Sequence, residues 1–370
     1  MNDPRKESQM SAAPLVIATR ARPRPLALFI ALALLLSLAP LVVYPVFLTK
    51  LLCFALFAMA FNLLVGQAGL LSFGHAMFFG GSAYVTAYAL TAWALPTEVA
   101  IVLGTAFAAV LGLVVGLVSI RRHGIYFAMI TLALAQMFFY VCVGLPATGG
   151  DDGITAVPRR ALFSVIDITD DSVLYYFVLV CFMAAFVLVY RVMHSPYGQV
   201  LRAIRDNEPR AISLGYQVSR YKLLAFVLSA TLAGLAGALK VLVFRLATLV
   251  DVSWGISGEV ILMALVGGIG TVLGPLLGAA FMLTLQGLLQ GLAQWMPVVQ
   301  GLVFVIAVLV FPLGIAGTFG PLIQRVLRLP RQASAAAPPA PATPAATPPT
   351  PPSHSSAAMR AVTPAGETSR

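Results

Sequence analysis

Charged residues are scarce in this chain. They make up 10% of its 370 residues, whereas 60% are hydrophobic. A soluble globule of this size cannot cover its surface with so few polar side chains. Several segments instead stay apolar for roughly 20 residues, the length that crosses about 30 Å of hydrocarbon as a helix. The composition therefore excludes a soluble protein and predicts an all-α, polytopic membrane protein.

The chain also lacks metal-binding patterns. Its three cysteines, Cys53, Cys142 and Cys181, lie in separate apolar runs without the spacing of a ligand set. No two of its four histidines have ligand spacing either. We interpret the cysteines as small buried hydrophobes and expect no metal site.

Catalytic and nucleotide-binding motifs are missing as well. The sequence contains no Gly-x-Ser-x-Gly, His-Glu-x-x-His or P-loop pattern. This argues against a membrane enzyme, so we expect no catalytic residue and no cofactor bound by this chain. The carboxylates nearest to the apolar runs, Glu98 and Glu259, fall at their ends. That position argues against an ion-coupled secondary carrier, which usually needs an ionisable group near the midplane.

The apolar runs predict about ten transmembrane helices. The predicted spans are 26–43, 46–65, 70–92, 99–120, 124–145, 173–193, 221–243, 257–273, 275–294 and 298–318. Around these spans, the sequence predicts a basic cytoplasmic tail over 1–25, a membrane domain over 26–325 and a cytoplasmic loop over 195–222. Residues 326–370 are rich in Pro, Ala and Thr and predict a disordered cytoplasmic tail.

The basic residues set the predicted orientation, because Lys and Arg in short loops resist translocation. With the N-terminus inside, the clusters at 121–122, 191–222 and 325–331 all fall on the cytoplasmic side, as does the C-terminus. The exceptions are Lys50, Arg159, Arg160, Lys240 and Arg245. Contact with the inner leaflet is sufficient to explain the net charge of +10, so no nucleic-acid partner is expected.

Polar side chains occur in or beside the second, third and fifth predicted spans. Glycines surround most of them and would permit a broken or re-entrant helix lining a cavity. Two readings stay open for these residues: they line a translocation path, or they hydrogen-bond neighbouring helices, the reading favoured for the histidine. The path candidates are Asn62, Gln67, Ser72, His75 and Gln136. The repeats Gly112-x-x-x-Gly116 and Gly270-x-x-x-Gly274-x-x-x-Gly278 predict close helix packing.

The polar loop over 195–222 predicts a short helix. Asn207 suits the N-cap, Glu208 suits the positive helix end and Pro209 fits the first turn, so the helix should run from about 208 to 214 and stop at Gly215. We expect apolar residues of this helix to enter a groove on a partner while arginines face acidic groups or lipid phosphates. The predicted contact residues are Arg202, Arg205, Asn207, Glu208, Arg210, Ala211, Leu214 and Gly215, together with Ile212.

Six patterns in order resemble the permease subunits of bacterial ABC importers for branched-chain amino acids. They are Asn62-Leu-Leu-x-Gly-x-x-Gly-Leu-x-Ser-x-Gly-His75, Gly124-Ile-Tyr-Phe-Ala-Met-Ile-Thr-Leu-Ala133, Thr148-Gly-Gly-Asp-Asp-Gly153, Gly198-x-x-Leu-Arg-Ala-Ile-Arg-Asp-Asn-Glu208, Leu214-Gly-Tyr-x-Val-Ser-Arg-Tyr-Lys222 and Gly267-Gly-Ile-Gly-Thr-Val-Leu-Gly-Pro275. The resemblance covers about residues 45–318 and is strongest to the paired permease type with the longer Thr-Gly-Gly outer loop.

The resemblance implies a multi-pass permease of the bacterial inner membrane. Its partners would be a homologous permease, two ABC ATPase subunits that bind ATP and magnesium, and a periplasmic substrate-binding protein. The loop from about Tyr197 to Lys222 would hold the coupling helix that fits the ATPase groove. The Glu-Ala-Ala opening of the broader importer loop is not reproduced, because Pro209, Arg210 and Ala211 stand in its place. Related permeases carry urea or short amides, so a urea or short-amide permease remains an alternative.

Overall fold

The structure of the protein is a computed structural model that describes residues 25–122, 124–162, 167–289, 291, 296–310 and 314–318. Within these ranges the regular elements are helices, and the extended pairing is a single bridge between Ile154 and Ala247. The α-helices are α1 Pro25–Leu38, α2 Pro45–Leu63, α3 His75–Thr91, α4 Thr97–Ser119, α5 Ile125–Gly144, α6 Asp171–His194, α7 Pro196–Asp206, α8 Glu208–Ser213, α9 Val218–Phe244, α10 Trp254–Gly267, α11 Gly274–Leu288 and α12 Met296–Val310.

Each predicted span coincides with one of these helices, which confirms the all-α, polytopic class. Within the described residues, five segments are long and apolar enough to cross a membrane. They are Pro45–Ala68, Thr97–Ser119, Ile125–Gly144, Asp171–His194 and Val218–Phe244. The predicted tails, 1–25 except Pro25 and 326–370, lie outside the described residues.

The helices α10 and α11 are shorter than their predicted spans. They contain 14 and 15 residues, against the roughly 20 that cross the hydrocarbon core. The chain between them is non-helical because Gly268 and Gly270 take φ angles of +111° and +79°, which an L side chain rarely adopts. The two helices therefore form a short hairpin whose tip, residues 268–273, is only partly covered: Gly268 is buried, and Ile269 is 45% exposed.

Helix α2 lies at the centre of the bundle and contacts α6, α9, α10 and α11. In its membrane-crossing window 89% of residues are buried, compared with 28% for α5. Helices α4 and α9 pack closely because small residues face each other: a Cβ on Gly112 would stand 2.5 Å from the Cβ of Ala230. The polar segments of α2 are thus inside the protein, while α5 presents most of its surface outward.

The α2 helix does not continue smoothly into α3. Its last residues pass into a π-helical turn, Leu64–Ala68, which ends at Gly69 with φ +67°. The next helix begins only at His75. The prediction of a broken helix at this glycine-rich segment is confirmed, and the break leaves backbone groups at 64–74 available to other parts of the chain.

Candidate functional site

The polar loop folds into two helices, α7 and α8, which we name the polar hairpin (residues 195–217). Ser195 caps α7 by accepting a hydrogen bond from the Gly198 amide, 3.3 Å. Asn207 Oδ1 caps α8 by accepting from the Arg210 amide, 3.0 Å. The predicted helix over 208–214 is observed as Glu208–Ser213, with the predicted N-cap.

The polar hairpin ends in a Schellman motif. The Gly215 amide donates to the Ile212 carbonyl at 2.9 Å, and the Tyr216 amide donates to the Ala211 carbonyl at 3.2 Å. Gly215 has φ +86°, so a β-carbon there would be strained. The motif fixes where the chain turns and directs Tyr216, a residue that the sequence argument did not select, to the surface.

Three sets of contacts hold the polar hairpin on the start of α9. The Lys222 ammonium pairs with Glu208 Oε2 at 2.7 Å, and only 6% of the lysine side chain is exposed. The Tyr197 ring stacks on Tyr221, and its hydroxyl donates to the Tyr221 carbonyl at 2.9 Å. Burial raises the pKa of the Tyr197 hydroxyl above its ordinary value, and nearby Tyr221 adds to the shift. A small apolar cluster completes the attachment: Ile204, Ala211 and Val218.

Two arginines of the hairpin bind the membrane domain. Arg202 Nε donates to Gln67 Oε1 at 2.6 Å, and an Arg205 guanidinium N–H donates to the Gly66 carbonyl at 2.5 Å. The carbon stem of Arg205 lies over Gly69, where a Cβ would stand 2.6 Å from Arg205 Cγ. These contacts satisfy polar groups that the π turn leaves. Arg205 also pairs with a neighbouring acidic group, Asp206, at 3.0 Å. That the two arginines face acidic groups of a partner or lipid phosphates stays a prediction.

The outward face of α8 is mainly apolar. Ile212, Leu214 and Tyr216 are 58%, 69% and 42% exposed, and Arg210 is exposed beside them. Ala211 is only 4% exposed. It packs against Ile204 and Val218 of this chain. Ala211 is therefore not part of the outward surface, although the sequence predicted it as a contact residue. We name four exposed residues of this stretch the exposed tip of the hairpin: Arg210, Ile212, Leu214 and Tyr216.

Asn62 joins the π turn region to the tip of the α10–α11 hairpin. Its amide nitrogen donates to the Thr271 carbonyl at 2.7 Å, and its oxygen accepts from the Gly270 amide at 2.8 Å. Gly66 approaches the same point, since a Cβ on it would stand 2.7 Å from the Gly270 Cα. Two segments of irregular backbone, far apart in sequence, are thereby held together by direct contact.

His75 binds two helices in the core. Its Nε2 lies 2.8 Å from Ser229 Oγ, and the serine hydroxyl donates to the Ala60 carbonyl at 2.6 Å. Because the serine proton is used for Ala60, His75 Nε2 carries the proton in this pair. Its ring also meets Phe61, Phe78 and Phe226 edge to face. These contacts favour the structural reading of His75.

The remaining path candidates occupy separate places. Ser72 is fully buried and accepts from the Gly74 amide at 3.3 Å. Gln136 lies half-buried on α5. Asn62 and Gln67 both lie at the π turn, whereas Gln136 lies on α5. A role for all five residues in one translocation path stays a prediction. Across the described ranges, no three His, Cys, Asp or Glu side chains converge to hold a metal ion.

Comparison with known proteins gives a consistent family match. The family described as branched-chain amino acid transport system / permease component matches residues 45–312. The high-affinity branched-chain amino acid transport system permease protein LivM of Salmonella typhimurium is 24% identical over 290 residues, covering 72% of this chain and 68% of that protein. LivM of Escherichia coli is 24% identical over 285 residues, covering 71% and 67%. No solved structure gives a significant match.

Proposed function

Because the chain belongs to the branched-chain amino acid transport permease family, we propose that it forms, with a homologous permease, the translocation path of an ABC importer. It is a multi-pass membrane protein and a transport subunit. A periplasmic binding protein delivers the substrate from outside. Two ABC ATPase subunits bind ATP and magnesium on the cytoplasmic side, where both termini of this chain also lie.

The observation that carries the proposal is the exposed tip of the polar hairpin. A tip with three exposed apolar side chains and one arginine on a rigid, capped helix fits a groove on a soluble partner. The salt bridge of Lys222 and the stacking of Tyr197 fix the hairpin to α9, so a push on the tip moves the hairpin as a unit.

The contacts behind the tip suggest how the push reaches the pore. Arg202 and Arg205 hold the π turn, and Gly66 and Asn62 in turn hold the tip of the α10–α11 hairpin. Displacement of α7 and α8 would shift residues 64–68 and then 268–271. We name this series of contacts the hairpin relay. A short helix pair with an irregular tip can move more readily than a continuous membrane-crossing helix.

Reconstitution of the whole importer tests the proposal. The chain, its partner permease, both ATPases and the cognate binding protein are placed in liposomes, and leucine, isoleucine, valine and urea are compared. We expect the branched-chain amino acids to stimulate ATP hydrolysis and to accumulate inside the liposomes. Stimulation by urea alone would replace the substrate class, and proton-driven uptake by this chain without ATPases would overturn the importer assignment.

A further inference from the structure

Helix α5 combines low burial with low apolarity. Among the five membrane-crossing segments of the described residues, it is the least buried and also the least apolar. The other two segments with large exposed surfaces, α4 and α6, are the two most apolar, as helices that face lipid should be. Helix α5 therefore presents outward a surface that lipid tails do not favour.

The outward side chains of α5 differ in kind from those of α4. Between residues 129 and 140, the exposed side chains of α5 are Met129, Ala133, Met137 and Tyr140, which share one face of the helix. Between residues 102 and 118, every exposed side chain of α4 is Val, Leu or Ala. Methionine adapts to irregular partners, and a tyrosine hydroxyl needs a hydrogen-bond partner. The face of α5 thus suits contact with protein.

Gln136 adds a polar side chain at the border of this face. It is half-buried and lies eight residues before the end of α5 at Gly144, or about 12 Å along the helix axis. Among the residues that the structure describes, nothing forms a hydrogen bond with its amide. A polar group at this depth is costly without a hydrogen-bond partner. The amide therefore requires a polar group from another molecule.

The opposite face of α5 is fixed to the break between α2 and α3. The Thr131 hydroxyl accepts a hydrogen bond from the Phe73 amide at 3.3 Å, and the Gly74 backbone leaves no room for a Cβ beside the Thr131 carbonyl. Thr131 is two residues from both Met129 and Ala133, so it points to the other side of the helix. Helix α5 thus lies between the segment that contains the π turn of the hairpin relay and an open surface.

We infer that this open surface binds the homologous permease and that a polar group of that permease hydrogen-bonds to Gln136. The inference rests on the proposed function and assigns its partner surface. We name the surface the α5 face: Met129, Ala133, Gln136, Met137 and Tyr140.

Of the proposed partners, only the homologous permease can reach the α5 face. The ATPases and the binding protein are soluble and meet the ends of the bundle, whereas Gln136 lies deep in a membrane-crossing helix. Lipid tails offer no hydrogen-bond partner. Helices associate in membranes through close packing and hydrogen bonds, which the α5 face supplies. Displacement of the break would act through Thr131 on α5 and so on the contact between the two permeases.

Photo-crosslinking in the complete importer tests the surface directly. The photo-reactive residue p-benzoylphenylalanine replaces Met137, which is 59% exposed, or Val110 of α4, a matched control that is 61% exposed and also lies near the middle of its helix. Both permeases carry different tags. We expect irradiation to join the two permeases at Met137 and not at Val110. Equal yields at both positions, no product at Met137 in an intact complex, or a product between two copies of this chain would overturn the inference.

Removal of the amide tests the role of Gln136. Gln136→Leu should weaken retention of the tagged homologous permease about threefold, the factor for an average hydrogen bond between membrane helices. Met137→Leu keeps an apolar side chain of similar volume and should retain the partner as the wild type does. The isolated Gln136→Leu chain in nanodiscs should melt no lower than the wild type. Lower melting with wild-type retention would assign the amide to this chain's own fold and overturn its role in binding.

Leucine import in liposomes decides the importer assignment separately. Import together with no crosslink at Met137 would leave that assignment in place and remove the α5 face. A crosslink at Met137 without import of any branched-chain amino acid would keep the α5 face and overturn the assignment. The two proposals can therefore fail independently.

Discussion

The two ends of the bundle use their charged side chains differently. At the polar hairpin, Arg202, Arg205 and Lys222 each have a defined partner at 2.7 Å or less within the chain. At the opposite end, Lys240 is closed by Asp251, but Lys50 has no direct ionic partner among the described residues. Fully satisfied charges make a segment rigid, while charges left open can bind a ligand. Under the proposed function, the polar hairpin would transmit force to the membrane domain.

The buried ion pair between Lys240 and Asp251 should be structural, and this is the largest effect that we expect. Lys240→Met leaves Asp251 buried without its cation and should destabilise the protein by about 3–5 kcal/mol. Thermal unfolding in detergent measures the loss. The double variant Lys240→Met/Asp251→Asn removes the lone charge while keeping an acceptor for Thr248, so it should recover most of the stability. A wild-type melting temperature in Lys240→Met would contradict the assignment of this pair as structural.

The contact between the π turn and the α10–α11 hairpin should be sensitive to volume. Gly66→Val places a side chain against the Gly270 backbone, and such overpacking costs about 1–3 kcal/mol. We expect lower thermal stability and lower leucine import per ATP hydrolysed. Gly287→Ala is the matched control, because a Cβ on Gly287 in α11 meets nothing within 4 Å. Equal import by the two variants would remove Gly66 from the relay.

The exposed tip should matter for the partner and not for the fold. Leu214→Asp places a charge on a side chain that is 69% exposed, so thermal stability should stay within about 0.5 kcal/mol of the wild type. In the proposed complex the Leu214 side chain is buried in the ATPase groove. Loss of this apolar contact should weaken ATPase association about tenfold. Co-purification of the ATPases measures this association. Ser219→Asp adds the same charge in the exposed first turn of α9 and should have little effect; equal losses in both variants would point to charge alone.

The smallest expected effect concerns the cap of α8. Asn207→Ala removes the acceptor for the Arg210 amide and should cost about 1 kcal/mol in local helix stability. Hydrogen exchange at the Arg210 amide, measured by mass spectrometry on the peptide that contains it, should be faster. Asn207→Asp keeps the acceptor and should exchange as the wild type does. Unchanged exchange in Asn207→Ala would show that packing, and not the cap, holds α8.

The sequence predicted local features better than long-range ones. The helix Glu208–Ser213, its cap Asn207 and its terminator Gly215 follow from rules that act over a few residues. The contact of Arg202 with Gln67 spans 135 positions in the chain, and no local pattern indicates it. A local pattern could have selected Tyr216, since the residue after the terminal glycine of a Schellman motif has a fixed direction.

The membrane helices show the same division. Hydropathy located ten helices, and five of those in the described ranges are long and apolar enough to cross a membrane. It extended α10 too far, because glycines at 268 and 270 read as apolar positions while their backbone angles end the helix. Hydropathy also could not distinguish Lys240 from Lys50. Both are basic residues near a helix end. Only the fold shows that Lys240 is paired with Asp251, whereas Lys50 forms no ion pair within 4.0 Å among the described residues.

The central claim is that the polar hairpin drives the pore through Arg202 and Arg205. The double variant Arg202→Ala/Arg205→Ala separates α7 and α8 from the π turn while leaving the Lys222–Glu208 salt bridge and the exposed tip in place. In liposomes that contain the complete importer, leucine transported per ATP hydrolysed is the decisive quantity. The account predicts that the ATPases still bind and hydrolyse ATP while this ratio falls at least about tenfold. A ratio equal to that of the wild type would contradict it.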